Sequence, residues 1–239
     1  MIYLGTSGFL YWDWRGRFYP QDSRPSDWLK FYAEKFNALE INSSFYRLPS
    51  LTTVKNYKKL VPNLAFVFKL FKGITHQKEL SDENVIPFLK VRDILGENLK
   101  CIIAQFPKTF RSSLKNLEFV LKIKERFEKE GINVSFELRE PSWERFFEEM
   151  KKEKVVVCCI SAPEKKGWLK SCLHSERLAY FRFHGEKELY KGNYSEETLK
   201  AFADRIRNCN SEEIFCFFNN TSKSCAPYDA LKLKTLLNS

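Results

Sequence analysis

The sequence predicts an α/β fold, a single (β/α)8 barrel-like domain of eight parallel strands spanning residues 1–239. Three observations carry this. Eight short apolar runs recur along the chain, at residues 2–8, 38–46, 65–71, 101–107, 133–139, 155–161, 178–185 and 213–220. Their starts are spaced by about 30 residues on average, the length of one βα unit. Several runs are rich in Val, Ile and Phe with little polar alternation, as strands buried on both faces read.

Helical patterns lie between the runs. Residues 25–36 place Trp28, Phe31, Tyr32 and Phe36 along one stripe. Residues 84–99 and 114–129 give two more. Ser142 and Ser195, each followed closely by an acidic residue, read as N-caps of further helices. A last helix follows Ala226-Pro227, with Leu231, Leu233, Leu236 and Leu237 available for packing. Residues 162–175 have weak helical character. An open doubly wound sheet would normally carry a Gly-rich phosphate loop after its first strand, and Gly5-Thr6-Ser7-Gly8-Phe9 lacks that fingerprint.

The composition excludes several classes. Hydrophobic residues at 44% and charged residues at 29% exclude a disordered chain. No run approaches the roughly 18 apolar residues of a membrane-spanning helix. The start, Met1-Ile2-Tyr3-Leu4-Gly5, has no signal-peptide pattern, so the expected compartment is the cytoplasm, with no membrane partner. Forty Lys+Arg against thirty Asp+Glu give +10, which permits a nucleic acid or another polyanion as partner. The basic residues are interspersed with acidic ones, however, as on a solvated surface. Seven cysteines without CxxC spacing, and only three histidines, argue against structural zinc. Cys101, Cys158, Cys159 and Cys216 sit in apolar runs and are expected as free core thiols, a usage that suits a reducing compartment. Cys225, in a polar stretch, is the one to expect reactive.

The informative feature is the carboxyl end of each run. There lie Glu40 and Asn42, Lys69, Gln105, Glu137 and Arg139, Arg182 and His184, and Asn219 and Asn220. Side chains alternate along a strand, so Glu40 shares a face with Asn42, Glu137 with Arg139, and Arg182 with His184. The outward face of a barrel is covered by helices, where an unpaired charge is costly. These groups are therefore expected to point inward, at the end where barrel active sites lie. The alternative is an internal Arg–Glu network that serves structure.

Read in order, these residues resemble a known family. Gly5-Thr6-Ser7-Gly8, Tyr11, Trp14 and Phe18-Tyr19-Pro20 open the pattern. It continues with Glu40-Ile41-Asn42-Ser43-Ser44-Phe45-Tyr46-Arg47-Leu48-Pro49, Phe66-Val67-Phe68-Lys69 and Ile74-Thr75-His76. Gln105-Phe106-Pro107, Phe136-Glu137-Leu138-Arg139, Ser142-Trp143, Arg182-Phe183-His184-Gly185, Phe218-Asn219-Asn220 and Ala226-Pro227 complete it. The chain is similar to the YecE-like family (domain of unknown function 72) over nearly its whole length. That resemblance implies a TIM-barrel-like fold and no particular reaction. The sequence departs from the pattern at Phe9, Phe106, Asp229 and Ser161, the last where an Asp is expected. A mechanism needing a carboxylate from the sixth strand is thereby disfavoured.

The expected chemistry is acid–base catalysis, such as hydrolysis, isomerisation or a lyase reaction, on a small anionic or sugar-like substrate. Glu40, Lys69, Glu137 and His184 are the candidate catalytic groups. Arg139 and Arg182 would hold an anion, and Tyr11, Trp14, Phe45, Tyr46 and Trp143 would wall a ring. Thr6, Ser7, Asn42, His76, Gln105, Asn219 and Asn220 complete the candidate binding set, with the loop 9–22 closing over the strand ends and His76 facing the pocket of Lys69. No cofactor is implied. Three alternatives stay open: a Schiff base on Lys69, a divalent metal held by Glu40, Glu137 and His184, and a non-catalytic nucleic-acid or polyanion-binding module.

Overall fold

A computed structural model describes residues 1–238. Its strands are β1 (Ile2–Thr6), β2 (Ala38–Ile41), β3 (Ala65–Lys69), β4 (Leu99–Gln105), β5 (Asn133–Glu137), β6 (Val156–Val157), β7 (Cys159–Ser161), β8 (Leu178–Phe183) and β9 (Glu213–Phe218). The helices are α1 (Trp28–Lys35), α2 (Leu51–Leu60), α3 (Lys72–Thr75), α4 (Asp82–Leu95), α5 (Leu114–Glu128), α6 (Phe147–Lys152), α7 (Glu196–Arg207) and α8 (Cys225–Asn238). No helix among the described residues is long and apolar enough to cross a membrane.

The strands form two parallel sheets rather than the one continuous set of eight expected. One has the order β1-β9-β8-β7, the other β2-β3-β4-β5-β6. The sixth apolar run is split at Cys158 into β6 and β7, which belong to different sheets. The other junction, between β1 and β2, is bridged by Ser7 against Glu40, with the Gly8 N–H donating to the Glu40 carbonyl at 2.7 Å. Two apolar cores result. Tyr3, Val67, Ile103, Tyr180, Phe215 and Phe217 belong to an inner cluster built from one strand face. Leu4, Leu39, Phe66, Phe68 and Ile102 face the other way and pack with helix residues such as Tyr32, Val54, Phe88 and Phe127.

Several local expectations change. Residues 42–45 are a 3-10 helix and not the end of a strand, so Asn42 leaves the β2 face. Helix α2 escaped the pattern because only Val54 of its ten residues is fully buried; Ser50 caps it, accepting from the Thr53 N–H at 3.1 Å. Ser142 is not an N-cap: Glu140 takes that role for a 3-10 turn over Pro141–Phe146, and α6 begins afterwards. Ser195 does cap α7, accepting from the Thr198 N–H at 3.2 Å.

Gly5 permits the close approach of β1 and β2. A Cβ there would lie 2.0 Å from the Ala38 carbonyl oxygen and 2.5 Å from the Tyr32 hydroxyl. The backbone carbonyl cannot give way without separating the strands. Gly5→Ala is expected to cost at least about 2 kcal/mol, as overpacking of a tight core does. Urea unfolding measures this, and an unchanged midpoint would show that the junction is loose.

Candidate active site

The alternation of side chains builds the site. On the inward faces, apolar residues at the amino ends give way to polar ones at the carboxyl ends. Ala38 is followed by Glu40, Val67 by Lys69, Ile103 by Gln105, Tyr180 by Arg182 and Phe217 by Asn219. All these polar residues are buried, as are Ser7, Glu137 and His184.

Arg182 is the hub. Its Nη2 donates to Glu40 Oε1 at 2.6 Å, and its Nη1 donates to Glu137 Oε2. Glu40 also accepts from the Ser7 hydroxyl at 2.6 Å and the Tyr180 hydroxyl at 2.7 Å. Glu137 accepts from Arg139 Nε at 2.6 Å. The Asn219 amide donates to His184 Nδ1 at 3.1 Å, which leaves the proton on Nε2 to donate to Glu137 at 3.1 Å. Burial lowers the His184 pKa, in keeping with a neutral imidazole. Burial alone would raise the Glu137 carboxyl, but Arg139, Arg182 and His184 outweigh it and hold it well below the usual carboxylate range.

Above the network opens a cavity of about 610 Å³. Lys69, Arg139 and Arg182 line it, along with Tyr11, Asn42, Tyr46, Gln105 and Asn219. Lys69 is 9% exposed, and its ammonium lies 4.1 Å from the centre of the Phe45 ring. Its ammonium has no hydrogen-bond or ion-pair partner among the described residues. Burial and then the Arg182 guanidinium push its pKa down to about 8. Three cations thus meet two carboxylates, and both carboxylates are engaged by the arginines.

Other expected residues lie elsewhere. Thr6 is buried and donates to the Gly8 carbonyl at 2.7 Å. Trp14 is fully buried, its Nε1 donating to the Thr221 carbonyl at 2.7 Å, so it pins the first loop to the last. Trp143 stacks on Phe110 and donates to that residue's carbonyl at 2.8 Å. Asn220 donates to Gly192 and to Asp229, each at 2.8 Å. The side-chain donors of these four bond back into the protein, and none of the four lines the cavity. His76 is exposed and does not line the cavity; it meets the far side of the site through Phe45, ring centres 4.9 Å apart. The Glu40–Glu137–His184 metal reading gives way as well, since Arg182 spans the two carboxylates. Of the loop 9–22 expected to close over the strand ends, Phe9, Leu10 and Tyr11 line the cavity, whereas Trp14 does not.

The sequence reading missed Tyr180, Trp168 and Tyr190. Tyr180 was legible in principle, two positions before Arg182 on the same face. Trp168 lies 4.0 Å from the Arg139 guanidinium and edge-on to His184. Tyr190 lines the cavity. The last two sit on loops, and no periodicity points to them.

Removing the Glu137 charge leaves Arg139 and Arg182 short of a partner. Glu137→Gln is expected to cost about 3–5 kcal/mol at pH 7, as breaking a buried ion pair does. The carboxylate's contribution is complete above its unfolded pKa of about 4.3 and is lost as pH falls through its depressed folded value. The stability gap between wild type and variant should therefore narrow below about pH 4. Urea titrations from pH 3 to 8 test this, and a gap that does not change with pH would refute the assignment.

The chain is 24% identical to UPF0759 protein YunF of Bacillus subtilis, over 100% of this chain and 95% of that one. A DUF72 family structure from Thermotoga maritima superposes with a TM-score of 0.87 at 29% identity, covering 100% of both chains. Another from Enterococcus faecalis gives 0.82 at 22% identity, covering 100% of this chain and 96% of that one. The matched family, described as "Protein of unknown function DUF72", covers residues 3–239, and the chain belongs to it.

Proposed function

We propose that the protein is an enzyme that binds a small anionic, polyhydroxylated substrate at the strands' carboxyl ends and moves a proton with Lys69. In this reading residues 1–239 form one domain, and the two sheets close into a (β/α)8 barrel in which β6 and β7 count as one strand. The observation that carries the proposal is the uncompensated cation. Glu40 and Glu137 are spent on Arg182 and Arg139, so neither is free as a base. Of the three cations that line the cavity, Lys69 is the one whose side chain has no hydrogen-bond or ion-pair partner among the described residues, and its pKa lies near the operating range of a general base. An anionic group of the substrate completes the charge balance, while Asn42, Gln105 and Asn219 offer hydrogen bonds to hydroxyls. The exposed Tyr46 flanks the opening for a ring face. Binding of a nucleic acid or other polyanion is the second reading, favoured by Lys72 near the Tyr46 ring at 6.0 Å on the exposed rim.

The test incubates the protein in D2O with a panel of sugar phosphates and hydroxy acids and follows deuterium incorporation by NMR. At least one compound should exchange a proton next to a carbonyl, and Lys69→Met should reduce the rate about 10²–10⁴-fold, the usual worth of a general base. The neutral amine is the active form, so the rate should rise with pH and level off above about 8. A panel that neither binds nor exchanges, alongside salt-sensitive binding of single-stranded DNA, would favour the second reading.

A further inference from the structure

The second reactive cluster lies away from the cavity. Cys159 and Cys172 form a disulfide, Cα atoms 4.9 Å apart and 13 positions apart in sequence. This corrects the expectation of a free core thiol at Cys159. Cys158 faces the inner cluster, and Cys159, one step along, faces outward. The chain then leaves β7, returns, and pairs Leu173 antiparallel with Val157, which carries Cys172 back beside Cys159. Cys225, expected to be reactive, is buried at the start of α8, and burial raises its pKa.

Three features set the pair apart from a buried structural crosslink. Arg205 Nη2 lies 2.9 Å from Cys172 Sγ and 3.5 Å from Cys159 Sγ. His174 Nε2 lies 3.4 Å from Cys159 Sγ and 3.7 Å from Cys172 Sγ. Cys172 is half-buried, while Arg205 and His174 are exposed, so a reagent can reach the cluster. A guanidinium beside a sulfur favours the thiolate, the form that attacks and departs in exchange. The side of the His174 ring packed against Phe181 and the sulfurs is desolvated, and this and then Arg205 lower its pKa to about 4, so the imidazole is neutral near pH 7 and can relay a proton.

We propose that Cys159, Cys172, His174 and Arg205 form a thiol–disulfide exchange site whose reaction partner is a dithiol. One thiolate of the dithiol attacks Cys172 Sγ. The S–S bond breaks and its electron pair leaves on Cys159 Sγ, which takes a proton through His174. The second thiol attacks the mixed disulfide and releases Cys172 as a thiolate against Arg205, its own proton going to solvent. The dithiol is oxidised to its disulfide by two electrons, which the cysteine pair receives.

The exchange bears on residues 160–171, which the disulfide clips at both ends. This segment carries Trp168 onto the Arg139 guanidinium, 4.0 Å from the ring centre. It stays attached through Leu169, whose N–H donates to the Arg139 carbonyl at 3.0 Å, and through the Leu173–Val157 pair. Reduction therefore loosens the segment without detaching it. Lys165, Lys166 and Lys170 provide tryptic sites within it.

The test uses the full chain purified without reductant, with and without dithiothreitol, followed by iodoacetamide and peptide mass mapping. Dithiothreitol should add alkylation at Cys159 and Cys172 with no loss of helical circular dichroism. It should speed tryptic cleavage after Lys165 and Lys166 about tenfold, and reoxidation should reverse both changes. Cys172→Ser should be cleaved at the fast rate with or without dithiothreitol. Arg205→Met should slow alkylation of reduced Cys172 at pH 7 by about tenfold, the effect of raising a thiol pKa by about one unit. The proposal is overturned if both cysteines alkylate before reduction, if reduction requires denaturant, or if cleavage rates do not change. None of these readouts depends on the substrate of the main cavity.

Discussion

One guanidinium organises the structure. Arg182 stands on β8 of the four-stranded sheet and bonds Glu40 on β2 and Glu137 on β5 of the five-stranded sheet. Ladder hydrogen bonds do not join the sheets continuously, so this pairing ties them at their carboxyl ends. A buried ion pair is weak evidence for net stability, because desolvation of each charge opposes the attraction. Its geometric consequence is plainer. The two carboxylates must meet one planar fork, which sets the separation of β2, β5 and β8 around it.

The same pairing determines the chemistry left for Lys69. With both carboxylates occupied, the third cation has no counter-ion in contact, and burial and then the Arg182 guanidinium oppose its charge. The result is an amine titrating near neutral pH against an open cavity. The network reconciles two readings of the strand-end charges that look exclusive in the sequence. Glu40, Glu137 and Arg182 are bonded to one another, and in the proposed reading that pairing shapes the reactivity of a neighbour. Both ring nitrogens of His184 are likewise bonded, to Glu137 and Asn219.

The aromatic residues divide in the same manner. Trp14 and Trp143 bury their rings and return their indole N–H groups to backbone carbonyls, which anchors the loops that carry them. Tyr11 and Tyr46 reach the cavity. Composition cannot separate anchors from wall residues, because both kinds follow a strand and both are large. Ser161 accepts from the Tyr194 hydroxyl at 3.2 Å, so the sixth run contributes no carboxylate to the network.

The α/β class, the approximate positions of the strands and the polar character of their carboxyl ends were legible along the chain. These follow from alternation and spacing, which are local along the chain. Ser195 as a cap was equally local, whereas α2 lacked the buried stripe that reveals a helix. Tertiary structure decided which polar groups are spent and which are free. Glu40 and Arg182 are 142 positions apart, and only the meeting of the two sheets brings them into contact. It also decided that Cys172 returns to Cys159, and that Trp168 comes to rest on Arg139. A side chain's periodicity tells which way it points, but its charge partner depends on what another strand brings to the same place.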